Sequence, residues 1–189
     1  MDALLNLRQL VDDFFLFVQS KSIEIYNEFS LQHELGIFLR EKLPDYRIQF
    51  ERNVSYFLIN SKTIKKEIDI SIFNDDKSER YAIELKHPLN GQYPEQMYSF
   101  VKDVKFMEQL KENGFTKTAV VVLVSDRPFY EGRSNQGIYK YFRNEYMVYG
   151  DVLKPTGAMK GKEFISLKGT YNFSWKSAGN NKKYFMIEV

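Results

Sequence analysis

The sequence predicts a mixed α/β fold in a single domain. Three observations predict it. Residues 66–73 alternate apolar and polar, and Arg80–Lys86 follows after the turn chemistry of Asn74-Asp75-Asp76-Lys77-Ser78. These two runs read as an antiparallel hairpin. A stripe of Met97, Val101, Val104, Met107 and Leu110 marks a helix from about Glu95 to Glu112, closed by Asn113-Gly114; such a stripe is core more often than a binding face. Thr118–Val124 is then continuously apolar and β-branched. It is too short for a helix and suits a strand buried on both faces. Strand, helix and strand form a βαβ unit with parallel strands.

The remaining elements follow in order. Over residues 1–20, Leu4, Leu7, Val11, Phe14, Phe15 and Val18 stand at helical spacing, which predicts an amphipathic helix. A second helix runs from about Ile23 to Leu43, with Leu31, Leu35, Phe38, Leu39 and Leu43 on its stripe, and Pro44-Asp45 stops it. Arg47–Tyr56 alternates Ile48, Phe50, Val54 and Tyr56 and reads as a strand. In the hairpin, Ile68, Ile70 and Ile72 fall on one side and Glu67, Asp69 and Ser71 on the other. The core, about 23–125, is therefore helix, three strands, helix, strand: a mixed sheet flanked by helices. Past Asp126 the pattern weakens. A short helix at Gly137–Tyr146 and strands at Phe164–Lys168, Tyr171–Lys176 and Lys183–Val189 predict a β-rich extension, about 126–189.

Composition excludes several function classes. The 189 residues include 16 Phe and 13 Tyr, too many for a disordered chain. There is no Cys, which rules out thiol nucleophiles, disulfides and Cys-ligated metals, and the two His are far apart. The N-terminus lacks a basic leader, and no apolar run is long enough to span a membrane, so the expected location is cytoplasmic. Net charge is only +2, but seven Lys against Glu163 and Glu188 from Lys154 onward give +5, leaving −3 elsewhere. That division suits a protein that holds polyanion with one part and metal with another, although a solvated surface explains it as well.

The charged residues inside the apolar strands point to chemistry. Asp69 sits between Ile68 and Ile70, and Glu84 between Ile83 and Leu85. Lys86, two residues on, shares the face of Glu84, and hairpin pairing can bring Asp69 beside it. Charges there are costly unless paired or metal-bound. Oxygen ligands without Cys or clustered His point to Mg²⁺ or Mn²⁺. Lys86 could then orient or deprotonate the attacking water, or counter developing charge.

Asp69 followed by Glu84-Leu85-Lys86 resembles the D…(D/E)xK motif of the PD-(D/E)xK nuclease superfamily, the restriction-endonuclease-like fold. The resemblance covers about residues 23–125 and implies an αβββαβ core, the order already read. It departs at Ile68, where Pro is frequent, and at Phe100, where some branches place Tyr after the Gln matched here by Gln96. It implies Asp69, Glu84, the Leu85 carbonyl and Glu34 as metal ligands, with Glu34 supplied by the Gln32-His33-Glu34-Leu35 stretch of the second helix. Glu28 is the alternative. Lys86 would position the water, and Gln96, Lys160, Lys162, Lys168 and Lys176 would contact substrate.

The function so implied is a Mg²⁺-dependent deoxyribonuclease, an endonuclease of restriction or repair type, leaving 5′-phosphate and 3′-hydroxyl ends. Its partners would be DNA and a second copy or another subunit. The alternatives are a non-catalytic nucleic-acid- or protein-binding module with the same fold, and a structural protein with a wet, charged hairpin. Other polar residues have plainer expectations. Glu67, His33, Lys102 and Asp103 are read as solvated, His87 as structural, Ser125-Asp126-Arg127 as a turn cap, and Tyr171, Phe173 and Trp175 as core.

Overall fold

The computed structural model describes residues 4–189; the predicted helix start at residues 1–3 lies outside them. α1 spans Leu7–Lys21 and buries Leu7, Val11, Phe14, Phe15 and Val18, the predicted stripe. α2 spans Glu28–Lys42, starting five residues later than predicted. Asn27 is its N-cap, accepting from the Ser30 amide at 2.8 Å, while the Ser30 hydroxyl accepts from the Asn27 amide at 3.0 Å. This reciprocal cap satisfies the first helical amides and fixes the boundary.

Three strands follow, β1 (Arg47–Asn53), β2 (Glu67–Phe73) and β3 (Arg80–Lys86). β1 ends in a 3₁₀ turn at Val54–Phe57, so it is shorter than the predicted strand. α3 spans Tyr93–Glu112 and β4 spans Lys117–Val124. The extension contains β5 (Met147–Leu153), which the sequence pattern does not reveal, then β6 (Phe164–Asn172), β7 (Lys176–Gly179) and β8 (Lys182–Glu188). The short helix falls at Tyr141–Glu145, as one π-helical turn.

The strands form a mixed six-stranded sheet in the order β1-β2-β3-β4-β8-β7, plus the separate β5–β6 pair. β3 and β4 are parallel, as the βαβ unit requires, and the other neighbours in the sheet are antiparallel. The extension is thus divided: β8 pairs with β4 and enlarges the core sheet, while β5 and β6 pack on α3.

Two apolar layers hold the sheet. α1 and α2 bury Ile70, Ile72, Ile83, Leu85, Val121 and Leu123 on one face. α3 and the β5–β6 pair cover Ala82, Val120, Val122, Phe185 and Ile187 on the other. The parity predicted for β2 holds for Ile70 and Ile72, but Ile68 packs with the α3 layer, beside the 3₁₀ turn, because β2 has left β3 by that point. Gly36 permits α2 to lie on β1: a Cβ there would run into the Phe50 ring. On α3, buried Glu108 accepts from the Lys168 and Gly169 amides and the Tyr171 hydroxyl, pinning β6 where its pairing with β5 slips.

Candidate active site

The site lies at a fork between β2 and β3. Their ladder runs from Phe73↔Arg80 to Ile70↔Ile83 and stops. The next pair in that register is Asp69 and Glu84. Beyond it β2 stays with β1, and β3 stays with β4 through Lys86↔Val122. Strands that part leave backbone amides without ladder partners, and buried amides need acceptors. The carboxylates supply them. Asp69 N donates to Glu84 Oε1 at 3.2 Å, and Leu85 N donates to Asp69 Oδ2 at 2.7 Å. The local fold therefore holds the two carboxylates facing each other across the fork.

Two lysines and two further acids complete the cluster. Lys65, from the loop before β2, pairs with Glu84 Oε2 and stands 3.1 Å from Asp103 Oδ1. Lys86 Nζ donates to Leu85 O at 2.8 Å and stands 3.4 Å from Glu28 Oε1 and 3.6 Å from Asp103 Oδ2. Glu28 Oε2 also accepts from His87 N at 3.1 Å. Gln32, one turn along α2, donates to Asp69 O at 2.8 Å and to Glu51 Oε1 at 2.6 Å. Glu51, next to Asp69 on β1, holds a left-handed φ of 48°, an uncommon state for a residue with a side chain. A recess of about 50 Å³ opens among Glu28, Phe29, Gln32, Glu51, Asp69 and Leu85.

The electrostatics follow from burial. Asp69 has its pKa pushed up to about 6 by burial, against the opposing pull of Lys65, the Leu85 amide and Lys86. Glu84, with no exposed surface, is also raised, first by burial and then by the charges of Asp69 and Asp103. Burial works to lower the pKa of Lys86, but Asp103 and Glu28 outweigh it and hold the ammonium charged. The same balance, through Asp103 and Glu84, keeps Lys65 charged. The contact network sets Asp69, Glu84, Asp103 and Glu28 against Lys65 and Lys86; with all four carboxyls ionised it is short of two positive charges, a deficit that protons on Asp69 and Glu84 lessen.

That shortfall and the donor chemistry fit a hard divalent cation. Asp69, Glu84 and the Leu85 carbonyl offer only oxygen, as Mg²⁺ prefers. Among the described residues, no three Asp, Glu, His or Cys side chains stand together at ligand spacing. A cation at the fork would have two carboxylates and one carbonyl from the protein, and Mg²⁺ commonly fills the rest of its coordination with water and substrate.

The structure separates the predicted site residues. Asp69, Glu84, Leu85 and Lys86 converge. Glu34 does not; its Oε1 stands 3.5 Å from His33 Nδ1. Glu28 and Gln32 are one turn apart on α2, whereas Glu34 is rotated about 120° from Glu28 by the helical period. The acid that α2 contributes is Glu28, the alternative. Gln96 donates to Asn90 at 3.1 Å and joins none of these groups.

The basic tail is not one surface. Lys176 on β7 is tied to Asp12 of α1 at 2.5 Å, and Lys168 to Glu112 at 2.7 Å, because β7 and β6 pack on different layers. Lys160 and Lys162 are exposed. Glu67 and Lys102 are exposed and His33 is mostly so, as expected. His87 is buried, with Nδ1 3.0 Å from Leu123 O, and burial lowers its pKa, so it is a neutral structural group. Trp175 packs on Phe185 with ring centroids 4.8 Å apart and donates to Phe142 O, which matches the core reading.

Asp103 corrects an expectation: it is buried, not solvated. Phe100, Asp103, Met107 and Leu110 form one row on α3, so its spacing carried the signal. Lys65 gave no signal in the sequence, because residues 58–66 have no periodicity to interpret. Among the described residues, no helix is long and apolar enough to cross a membrane. No family model matches the sequence, and neither the curated proteins nor the solved structures give a match.

Proposed function

We propose that the protein is a metal-dependent nuclease that hydrolyses phosphodiester bonds in DNA, an endonuclease of restriction or repair type. The observation that carries the reading is the fork, with Asp69 and Glu84 facing each other across parted strands and Lys86 beside them. The element order α2-β1-β2-β3-α3-β4 supports it, being the αβββαβ order of the restriction-endonuclease-like fold.

A Mg²⁺ or Mn²⁺ ion held by Asp69, Glu84 and the Leu85 carbonyl would supply an acidified water and charge neutralisation at a phosphoryl oxygen. Lys86, held charged by Asp103 and Glu28, is a donor and not a base. It orients the water and meets negative charge as it grows on the phosphate. Glu28 and Asp103 position Lys86. Gln32, bonded to the Asp69 carbonyl, fixes the outer strand of the fork.

Plasmid cleavage tests this. Supercoiled and linear DNA are incubated with Mg²⁺ or Mn²⁺, beside EDTA and the Lys86→Ala and Asp69→Ala proteins. Metal-dependent cleavage lost in both variants is expected; cleavage that survives both would show that the fork is not the site. One observation favours the second reading, a non-catalytic nucleic-acid- or protein-binding module: Lys65 already engages Glu84 Oε2. That reading predicts DNA or protein binding with no metal dependence and no cleavage.

A further inference from the structure

A second concave site lies at the same end of the sheet. β3 and β4 finish there, at Lys86 and Val124, and α3 begins there. Tyr93, in the first turn of α3, donates to Asp126 just past β4 at 3.1 Å. Thr156, between β5 and β6, donates to Glu95 on α3. These contacts set the β5–β6 side against the start of α3, and a cavity of about 590 Å³ is lined there by residues 134–141, by the end of β5 with the loop after it, and by Pro94 of α3. Small-molecule sites span roughly 300–1,000 Å³.

The lining has two chemistries. Half-buried Tyr139, with the Arg143 guanidinium 3.7 Å from its ring centroid, joins Leu153 and Pro155 in an aromatic and apolar wall, Tyr141 in the lining is itself buried, and Lys140, Lys154 and Lys160 are the lining's basic residues. Lys160 is exposed and has no ion-pair partner among the described residues. Lys140 stands over the Tyr141 and Tyr149 rings, 4.6 and 5.7 Å from their centroids. Lys154 has Glu163 at 3.2 Å. Asp151 adds an exposed acceptor to the lining.

This combination selects its occupant. A purely apolar ligand would leave the lysines unused. A bare phosphate would leave the aromatic and apolar wall unused. A planar heterocycle joined to a phosphate uses both, because aromatic faces accept stacked bases and ammonium groups attract phosphate.

We propose that this cavity holds one nucleotide of a nucleic-acid strand, its base turned out of the stack against Tyr139 and Leu153 and its phosphate beside Lys160 and Lys154. Asp151 accepts from an exocyclic amine, so cytosine, adenine and guanine are preferred to thymine. The site gives the nucleic-acid reading of the fork a recognition pocket separate from the reacting groups, and it rests on that reading only for its strand. It needs neither metal nor cleavage.

The test uses the full Lys86→Ala chain in EDTA, which makes it independent of nuclease activity. A short single-stranded oligonucleotide carrying 2-aminopurine at an internal position is titrated and its fluorescence followed. dCMP, TMP and inorganic phosphate serve as competitors. A saturable change is expected, with dCMP competing better than TMP and phosphate competing weakly. Leu153→Glu and Lys160→Glu alter exposed side chains that the fold does not depend on. Each should weaken binding about tenfold by placing a carboxylate at the cavity.

No saturable change would overturn the proposal, as would binding unaffected by both substitutions. Phosphate competing as well as dCMP would reduce the site to a lysine cluster. dCMP binding without an oligonucleotide response would replace the strand with a free nucleotide. Binding as expected from a wild-type chain that cuts nothing would keep the pocket and remove the nuclease reading.

Discussion

Replacing Asp69 with asparagine should make the protein more stable, by an amount that depends on pH. Burial holds the Asp69 proton up to about pH 6, against an ordinary carboxyl value of 3.8. Between those values the folded chain binds the proton and the unfolded chain does not, so this group's contribution to stability falls as pH rises. Above about pH 6 the whole penalty is present. A difference of about two pKa units corresponds to about 3 kcal/mol as an upper value. The asparagine side chain cannot ionise, and its oxygen still accepts from the Leu85 amide, a bond of 2.7 Å in the wild-type. At about pH 8 without metal, Asp69→Asn should therefore gain about 1–3 kcal/mol, or about 3–10 °C in Tm for a chain of this size. Near pH 4 the two proteins should melt together. Thermal melts followed by circular dichroism in EDTA across that range provide the measurement. Mg²⁺ should raise the wild-type Tm and leave the variant where it was, because a cation relieves the same penalty. A variant less stable at high pH, or a difference that does not change with pH, would refute the reasoning.

Four further substitutions test the surrounding groups. Glu28→Gln should lower the cleavage rate about 10- to 100-fold, because Glu28 holds Lys86, while Glu34→Gln should stay within about twofold. Equal effects in the same plasmid assay would remove Glu28 from the site. Lys65→Met takes the ion-pair partner from Glu84 and leaves Asp103 with Lys86 alone, and should cost about 2–4 kcal/mol in chemical denaturation, a loss that Mg²⁺ partly restores. A variant as stable as wild-type in EDTA would show that the pairing contributes little. Asp103→Asn removes the larger of the charges that keep Lys86 protonated. Activity should then fall off at lower pH on the alkaline side of the rate profile, and an unshifted alkaline limb would show that Asp103 does not act through Lys86.

Much of this arrangement was legible in the residues themselves. The hairpin and α3 were readable because each has one strong periodicity and a clear stop, and β4 because it is a short, unbroken β-branched run. Asp69, Glu84 and Lys86 stood out because they interrupt apolar strands. Glu34 ranks above Glu28 in the sequence because the Gln32-His33-Glu34-Leu35 stretch resembles the family's helix element, and the true start of α2 is not marked by its apolar stripe. Asn27 and Ser30 form the cap that places Glu28 in its first turn, at the end of the helix nearest the fork. Asp103 occupies a core row of α3, but beside Lys102 it resembled one more solvated charge. Lys65 reaches the site from an irregular loop, and only the tertiary fold brings it to Glu84. The lysines of the tail looked like a single basic surface because sequence counts charge without showing partners. Asp12 and Glu112, which neutralise Lys176 and Lys168, lie on α1 and α3, remote in the chain. β5 escaped notice because Gly150 and Asp151 break its alternation between Val148 and Val152.

The central claim is that the fork of Asp69 and Glu84 holds a catalytic divalent cation. Mn²⁺ binding followed by electron paramagnetic resonance, on the wild-type, Asp69→Asn and Glu84→Gln proteins, tests it most directly. The account predicts saturable Mn²⁺ binding by the wild-type, displaced by excess Mg²⁺ and lost in both variants. A wild-type chain that leaves Mn²⁺ free in solution, or variants that bind it as well as the wild-type, would contradict the account.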